Sequence, residues 1–291
     1  MKVVELISDV RELTGRARAE GRRVVLVPTM GFLHEGHLSL VRAARAEDDG
    51  GAEAYVVMSV FVNPLQFGPQ EDFDKYPRDL ERDQALAESA GVDLLFVPSV
   101  EEMYPTGASL TVIQVADVSE GLCGGARPGH FDGVATVVAK LMQICQPDRA
   151  YFGQKDFQQL MVIRQMVKDL CMPVRIVAVP ILREHDGLAM SSRNVYLSSE
   201  HRRQAPVLYE ALCRGAAAVL AGTADYDEVC AVVRDCVAGS EARLEYVEMR
   251  DAEVWRKPER LHRQVVILIA ARLGETRLID NIYVAEMEGV S

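Results

Sequence analysis

Short β-branched runs alternate with helical stripes along most of this chain, and that alternation constrains the fold more than any other feature. Val24–Val27, Ala54–Val60, Leu94–Val97 and Val174–Val179 are continuous apolar stretches of buried-strand length. Between them, Val134, Val137, Val138, Leu141 and Cys145 fall on one stripe of a helix. Leu160, Ile163, Val167 and Leu170 mark another helix, running from about Asp156 to Leu170. Parallel strands need long crossovers, so this alternation implies βαβ units and an open parallel α/β sheet with helices on both faces.

After Arg183 the rhythm changes. Ser198 and Ser199 can cap a helix that starts with Glu200 and continues its stripe through Val207, Leu208 and Leu212. A second helix is expected from Asp225 to Val237. Strand-type runs follow at Leu244–Met249, Val265–Ala271 and Thr276–Ile279, with Gly274 as a turn. Helices followed by consecutive strands suggest a smaller α+β C-terminal domain, which divides the chain into residues 1–182 and 183–291.

Composition narrows the function classes. The 32 Lys and Arg against 43 Asp and Glu give a net charge of −11, which argues against a grip on nucleic acid by broad phosphate neutralisation. A small anionic substrate stays possible, because a few cations in one cleft can outweigh the surface. No run approaches the ~20 apolar residues of a membrane helix, and Met1–Asp9 carries acids where a signal peptide is apolar. Cys123, Cys145, Cys171, Cys213, Cys230 and Cys236 form no CxxC pair and read as buried free thiols in a reduced cytoplasm.

The most informative stretch is Pro28-Thr29-Met30-Gly31-Phe32-Leu33-His34-Glu35-Gly36-His37. It begins where the Val24–Val27 strand ends and leads into a helix expected over Leu38–Ala46. Open α/β sheets bind ligands at the carboxyl ends of their strands, where helix N-termini converge. Gly31 and Gly36 let the backbone come close to a ligand, and His34 and His37 face one phosphate-sized site. Three readings fit the pair: a histidine cap, a metal pair, or donors to a nucleotide phosphate. The metal reading lacks the i, i+4 spacing and downstream acid of the zinc protease motif.

His34-Glu35-Gly36-His37 resembles the HIGH-type signature of the nucleotidyltransferase superfamily. Three further blocks follow in order: Phe61–Phe67 (FVNPLQF), Gly153–Gln159 (GQKDFQQ) and Asp186–Asn194 (DGLAMSSRN). Together the four blocks resemble the pantothenate synthetase (pantoate–β-alanine ligase) family over essentially the whole chain. The resemblance implies a Rossmann-like N-terminal domain and a small C-terminal lid. It also implies ATP-driven amide synthesis from pantoate and β-alanine through a pantoyl adenylate.

Site residues follow from the same resemblance. Met30, Gly31, Phe32, Leu33, His34, Glu35, Gly36 and His37 resemble the ATP-binding turn, with His37 in the position usually described as a proton donor. Gly153, Gln154, Lys155 and Asp156 form a second nucleotide turn, in which Lys155 supplies a cation and Asp156 meets the ribose or backbone. Met190, Ser191, Ser192 and Arg193 resemble the second signature loop, which clamps pyrophosphate, and the backbone of Leu182 meets the adenine. His37, His34, Lys155 and Arg193 are the implied catalytic residues. Gln66 and Gln159 are the implied pantoate ligands, accompanied by Thr29, Asn63 and His130.

Mg²⁺ is expected because ATP phosphates carry it, with Asp83 as candidate acid, although Asp79, Glu81 and Asp83 also read as a solvated helix face. Gly68–Pro77 reads as a mobile wall over the site. The expected partners are pantoate, β-alanine and ATP, with no nucleic acid and no membrane, in a cytoplasmic homodimer. Two rivals are a nucleotidyltransferase acting on a phosphate-bearing acceptor and a nucleotide sensor without chemistry. The neutral pair Gln66 and Gln159 speaks against the first, and His37 with Arg193 against the second.

Overall fold

A computed structural model of the chain describes residues 1–47, 51–69, 71–107, 109–222, 225–258 and 264–285. It divides into two units, Met1–Pro180 and Ile181–Ser291, whereas the change of rhythm places a boundary after Leu182.

The first unit contains β1 (Lys2–Val4), α1 (Ile7–Ala19), β2 (Arg23–Thr29), α2 (Glu35–Ala46), β3 (Ala54–Val60), α3 (Leu80–Ser89) and β4 (Leu94–Phe96). It continues with α4 (Val100–Met103), α5 (Leu122–Ala126), α6 (His130–Cys145), β5 (Arg149–Gly153), α7 (Phe157–Asp169) and β6 (Arg175–Val179). The six strands form one sheet in the order β1-β4-β3-β2-β5-β6, and every pairing is parallel. Val25 and Val27 of β2 pack with Val56 and Met58 of β3 under Leu38, Val41 and Ala44 of α2 and Ala87 of α3. α1 and α6 lie against each other and against β2. With both faces covered, the central strands are apolar along most of their length, which is why they read as continuous runs.

The order of the strands decides where a ligand can sit. After β2 the chain moves through α2 to β3 on one side, whereas β5 and β6 extend the sheet on the other. The crossovers therefore diverge between β2 and β5, opening a crevice at the carboxyl ends of these two strands.

The second unit has α8 (Ser199–Gln204), α9 (Val207–Leu220), α10 (Tyr226–Val237), β7 (Arg243–Asp251), β8 (Gln264–Leu273) and β9 (Thr276–Ala285). Its three strands are antiparallel in the order β7-β8-β9. Alternate β8 residues, Val265, Ile267, Ile269 and Ala271, share a core with Leu208 and Leu212 of α9 and Val229 and Val233 of α10.

Several expectations are corrected. The helix expected to run on from Ser198 breaks between α8 and α9, because Pro206 has no N–H to donate and stands at the start of a new helix. β1 carried no sequence signal, being only three residues and largely exposed. Cys123, Cys145 and Cys230 are buried thiols outside any disulfide, but Cys171 is exposed, and Cys213 and Cys236 are half-buried.

Candidate active site

The turn after β2 is built around a buried carboxylate. Gly31 has φ +80° and Phe32 φ +48°, so the chain reverses through the left-handed region twice in succession. Asp83, the buried residue expected on a solvated helix face, accepts the N–H groups of Phe32 at 2.7 Å and Leu33 at 2.6 Å. A Cβ on Gly31 would lie 2.8 Å from Val60 Cγ1 and 2.9 Å from Asp83 Oδ2, so only glycine fits. Thr29, buried beneath the turn, donates to the Ser59 carbonyl at 2.7 Å and accepts from Gly31 N–H at 3.1 Å. Both residues brace the turn. Burial raises the Asp83 carboxyl above its usual value, against the opposing pull of the two N–H bonds. A carboxylate with both oxygens committed to backbone does not fit a magnesium site. Among the described residues no group of three His, Cys, Asp or Glu could hold a metal.

The two histidines cap α2. His34 is the N-cap residue, and its Nδ1 accepts Gly36 N–H at 3.1 Å. His37 Nδ1 accepts His34 N–H at 3.3 Å, closing a reciprocal capping box. The rings stack with centroids 4.0 Å apart. Since each Nδ1 accepts a backbone N–H, the single proton of each neutral imidazole sits on Nε2. Burial, and then the neighbouring charges of His34 and Lys155, holds His37 well below the usual histidine range. His37 is therefore a neutral Nε2–H donor at neutral pH, beside a helix N-terminus whose dipole favours an anion.

Lys155 lies in the turn that joins β5 to α7, and its ammonium is 3.7 Å from Asp156. Its charge bears on His37, and its turn stands at the carboxyl end of β5, the neighbour of β2 in the sheet. Gln154 and Asp156 are half-buried in the same turn. Gln159 is also half-buried, in the first turn of α7, and its side-chain amide has no hydrogen-bond partner among the described residues. Its neighbour Gln158, which the sequence did not single out, is buried and spans Cys123 N–H and the carbonyls of Val118 and Glu120.

Gln66 ends a 3₁₀ turn after β3 and is buried. Its Oε1 accepts from Asn63 Nδ2 at 3.2 Å, and its Nε2 points to Met30 Sδ at 2.9 Å. A thioether is a weak acceptor, so this donor is parked where a better oxygen can displace the contact. Asn63 is fully engaged: Nδ2 also donates to Gly133 O at 3.1 Å, while Oδ1 accepts from Leu65 N–H at 3.3 Å and Tyr104 OH at 2.8 Å. Asn63 thus braces Gln66. Gly133 lets α6 approach this turn, since a Cβ there would lie 2.3 Å from Leu65 O.

His130, at the start of α6, presents Nδ1 to the Gln66 carbonyl at 2.8 Å and Nε2 to Arg127 at 2.9 Å. The carbonyl can only accept and the guanidinium only donate, so His130 is the neutral Nδ1–H tautomer. Burial, aided by Arg127, pushes its pKa down to about 4. Arg127 also forks onto Glu71 at 2.7 and 2.6 Å. That bidentate pair ties the segment expected to be a mobile wall to the entrance of α6, although Gln70 within it lies outside the described residues.

In the second unit, Ser191 accepts Arg193 N–H at 3.3 Å and caps the 3₁₀ turn Ser192–Tyr196. Ser192 is buried, while Met190 and Arg193 are half-buried. The Leu182 carbonyl accepts from Met190 N–H at 3.1 Å, and its side chain is exposed.

Comparisons with known proteins show the family of the chain. The family model for Pantoate-beta-alanine ligase matches residues 2–283. Pantothenate synthetase of Moorella thermoacetica is 52% identical, over 97% of this chain and 98% of the relative. That of Pseudomonas savastanoi pv. phaseolicola is 50% identical, over 97% of this chain and 99% of the relative. The crystal structure of pantothenate synthetase from Thermus thermophilus superposes with a TM-score of 0.91 at 48% identity, covering 98% of this chain and all of that one. A pantoate-beta-alanine ligase from Francisella tularensis, complexed with beta-gamma ATP and beta-alanine, gives a TM-score of 0.78 at 34% identity and 97% coverage of both chains. The chain belongs to the pantoate-beta-alanine ligase family.

Proposed function

We propose that this protein condenses pantoate with β-alanine at the expense of ATP, giving pantothenate, AMP and pyrophosphate. A carboxylate oxygen of pantoate attacks the α-phosphorus, and the bond to the β-phosphate oxygen breaks to release pyrophosphate. The amine of β-alanine then attacks the acyl carbon of the pantoyl adenylate. The acyl C–O bond breaks, AMP leaves with that oxygen, and the nitrogen loses a proton.

The observation that carries this reading is the pair of imidazoles stacked at the start of α2, each with Nδ1 committed to a backbone N–H and His37 held neutral, with the charge of Lys155 bearing on His37. Adenylyl transfer builds charge on phosphate oxygens, which fixed donors and a nearby cation stabilise without reorganising. His37 with Nδ1 committed to backbone is a hydrogen-bond donor to that charge, not a source of a full proton. Gln66 and Gln159 offer neutral amides to pantoate, so its carboxylate is not quenched by a tight ion pair and stays nucleophilic. Arg193, with Met190, Ser191 and Ser192, is assigned to the pyrophosphate on the resemblance alone, as are Leu182 to the adenine and a lid role to the second unit. Mg²⁺ enters on the substrate side, carried by the ATP phosphates, and no step runs through a protein-held metal.

The assembly and setting carried by this reading are a cytoplasmic homodimer, tested by light scattering of the purified protein. No described helix is long and apolar enough to cross a membrane. The activity test is an omission assay that follows AMP and pyrophosphate separately. Pyrophosphate exchange into ATP is expected with pantoate alone, and AMP release only when β-alanine is added. Exchange without pantoate would overturn the reading.

A further inference from the structure

Gln66 can face the site in two ways that differ only by exchange of Oε1 and Nε2. A substrate carboxylate or hydroxyl oxygen needs the Nε2 donor forward, and an exposed Oε1 would repel a carboxylate. The flip is set by the Asn63 amide, whose Nδ2 donates to Gln66 Oε1. Asn63 has the same ambiguity, and its Oδ1 is fixed by donors on the other side. Tyr104 OH makes the shortest of those bonds, at 2.8 Å against 3.3 Å from Leu65 N–H.

Tyr104 suits this task for three reasons. It is buried, at 3% exposure, directly after α4. Burial raises its hydroxyl far above the usual phenol value, so it stays protonated and keeps a proton to give to Asn63 Oδ1, in the orientation that Leu65 N–H and the Gly133 carbonyl also select. Its ring lies 6.1 Å from Phe61, and Lys140 of α6 places its ammonium 4.7 Å from the ring centroid. A cation over the face draws electron density from the phenol and strengthens it as a donor.

We propose that Tyr104 is a positioning residue for the acid substrate: through Asn63 it locks Gln66 with its amide donor facing the site. The proposal rests on the assignment of Gln66 to pantoate. The effect of Tyr104 is transmitted over two hydrogen bonds, from phenol to Asn63 and from Asn63 to Gln66.

The test replaces Tyr104 with Phe, which keeps the ring contacts and removes the donor. In pantoate-dependent pyrophosphate exchange, the KM for pantoate should rise about fivefold, the equivalent of one hydrogen bond of ordinary strength. The Kd for ATP, measured by calorimetry without pantoate, should stay within about twofold. A merely structural role would weaken both ligands together and lower Tm with them, and that result overturns the proposal. So does an unchanged KM for pantoate in a folded variant. Asn63→Asp supplies a second reading should Tyr104→Phe fail to fold. It keeps the acceptors for Tyr104 and Leu65 but cannot donate to Gln66, so it should raise the pantoate KM at least as much. Wild-type exchange that ignores pantoate would instead sink the assignment of Gln66, which separates the two failures.

Discussion

His37 Nδ1 accepts the backbone N–H of His34, so the N-cap geometry of α2 dictates that His37 presents a protonated Nε2 to the crevice. Helix capping and phosphate recognition are thus one arrangement, and neither histidine can be changed without disturbing both.

Replacing His37 with Ala should lower the rate of pyrophosphate exchange by roughly 10²–10³-fold, the scale for removing one preorganised donor to a developing charge. Because burial, His34 and Lys155 hold its pKa well below 6.5, His37 stays neutral throughout the working range. The wild-type profile of kcat against pH should show no inflection near 6.5 that disappears in His37→Ala. Such an inflection would mean that His37 acts as a charged acid.

Stability should fall as the solution is acidified below neutrality. His130 titrates at about 4 when folded, against 6.5 for an ordinary histidine, so between these values the unfolded chain binds a proton that the folded chain does not. From pH 7 to pH 5 this linkage removes about 2 kcal/mol of unfolding free energy. Urea titrations of wild type and His130→Gln at both pH values should show the variant losing less by that amount. Equal losses would refute the assigned neutral tautomer.

Asp83→Asn should weaken ATP binding and cost about 2 kcal/mol of stability. An amide cannot accept both Phe32 and Leu33 N–H groups with both of its atoms, so one donor is left facing an NH₂. Gly31→Ala should be at least as damaging, since it meets both a positive φ and a contact of 2.8 Å with Val60. Thermal melts and ATP calorimetry measure both. Retention of full ATP affinity by Asp83→Asn would remove the turn from the nucleotide site.

The fork between Arg127 and Glu71 predicts that the 68–77 segment is tethered. Glu71→Gln loses the charge and one arm of the fork, so brief proteolysis should cut within this segment several times faster than in wild type. An unchanged digestion pattern would mean that the tether does not hold the segment.

What the sequence made legible was local. The crevice follows from strand–helix alternation, and the turn after β2 and the block Phe61–Phe67 stand out as contiguous motifs because their residues are neighbours in the chain. What escaped was long-range. Asp83 reaches Leu33 across 50 positions and Tyr104 reaches Asn63 across 41, and no periodicity marks either contact. Asp83 sits in an acidic run that looks like any solvated helix face, and only the position of α3 under the turn buries it. Thr29 and Asn63, which the resemblance groups with the substrate residues, also brace the turns around the site through bonds to Ser59 and Gly133 that no motif announces.

The central claim, attack of the pantoate carboxylate on the α-phosphorus, is tested most directly by isotope transfer. Pantoate labelled with ¹⁸O in its carboxylate is turned over with ATP and β-alanine, and the products are weighed by mass spectrometry. The account predicts one ¹⁸O in the phosphate of AMP and none in pyrophosphate. Label in pyrophosphate, or unlabelled AMP, would contradict it.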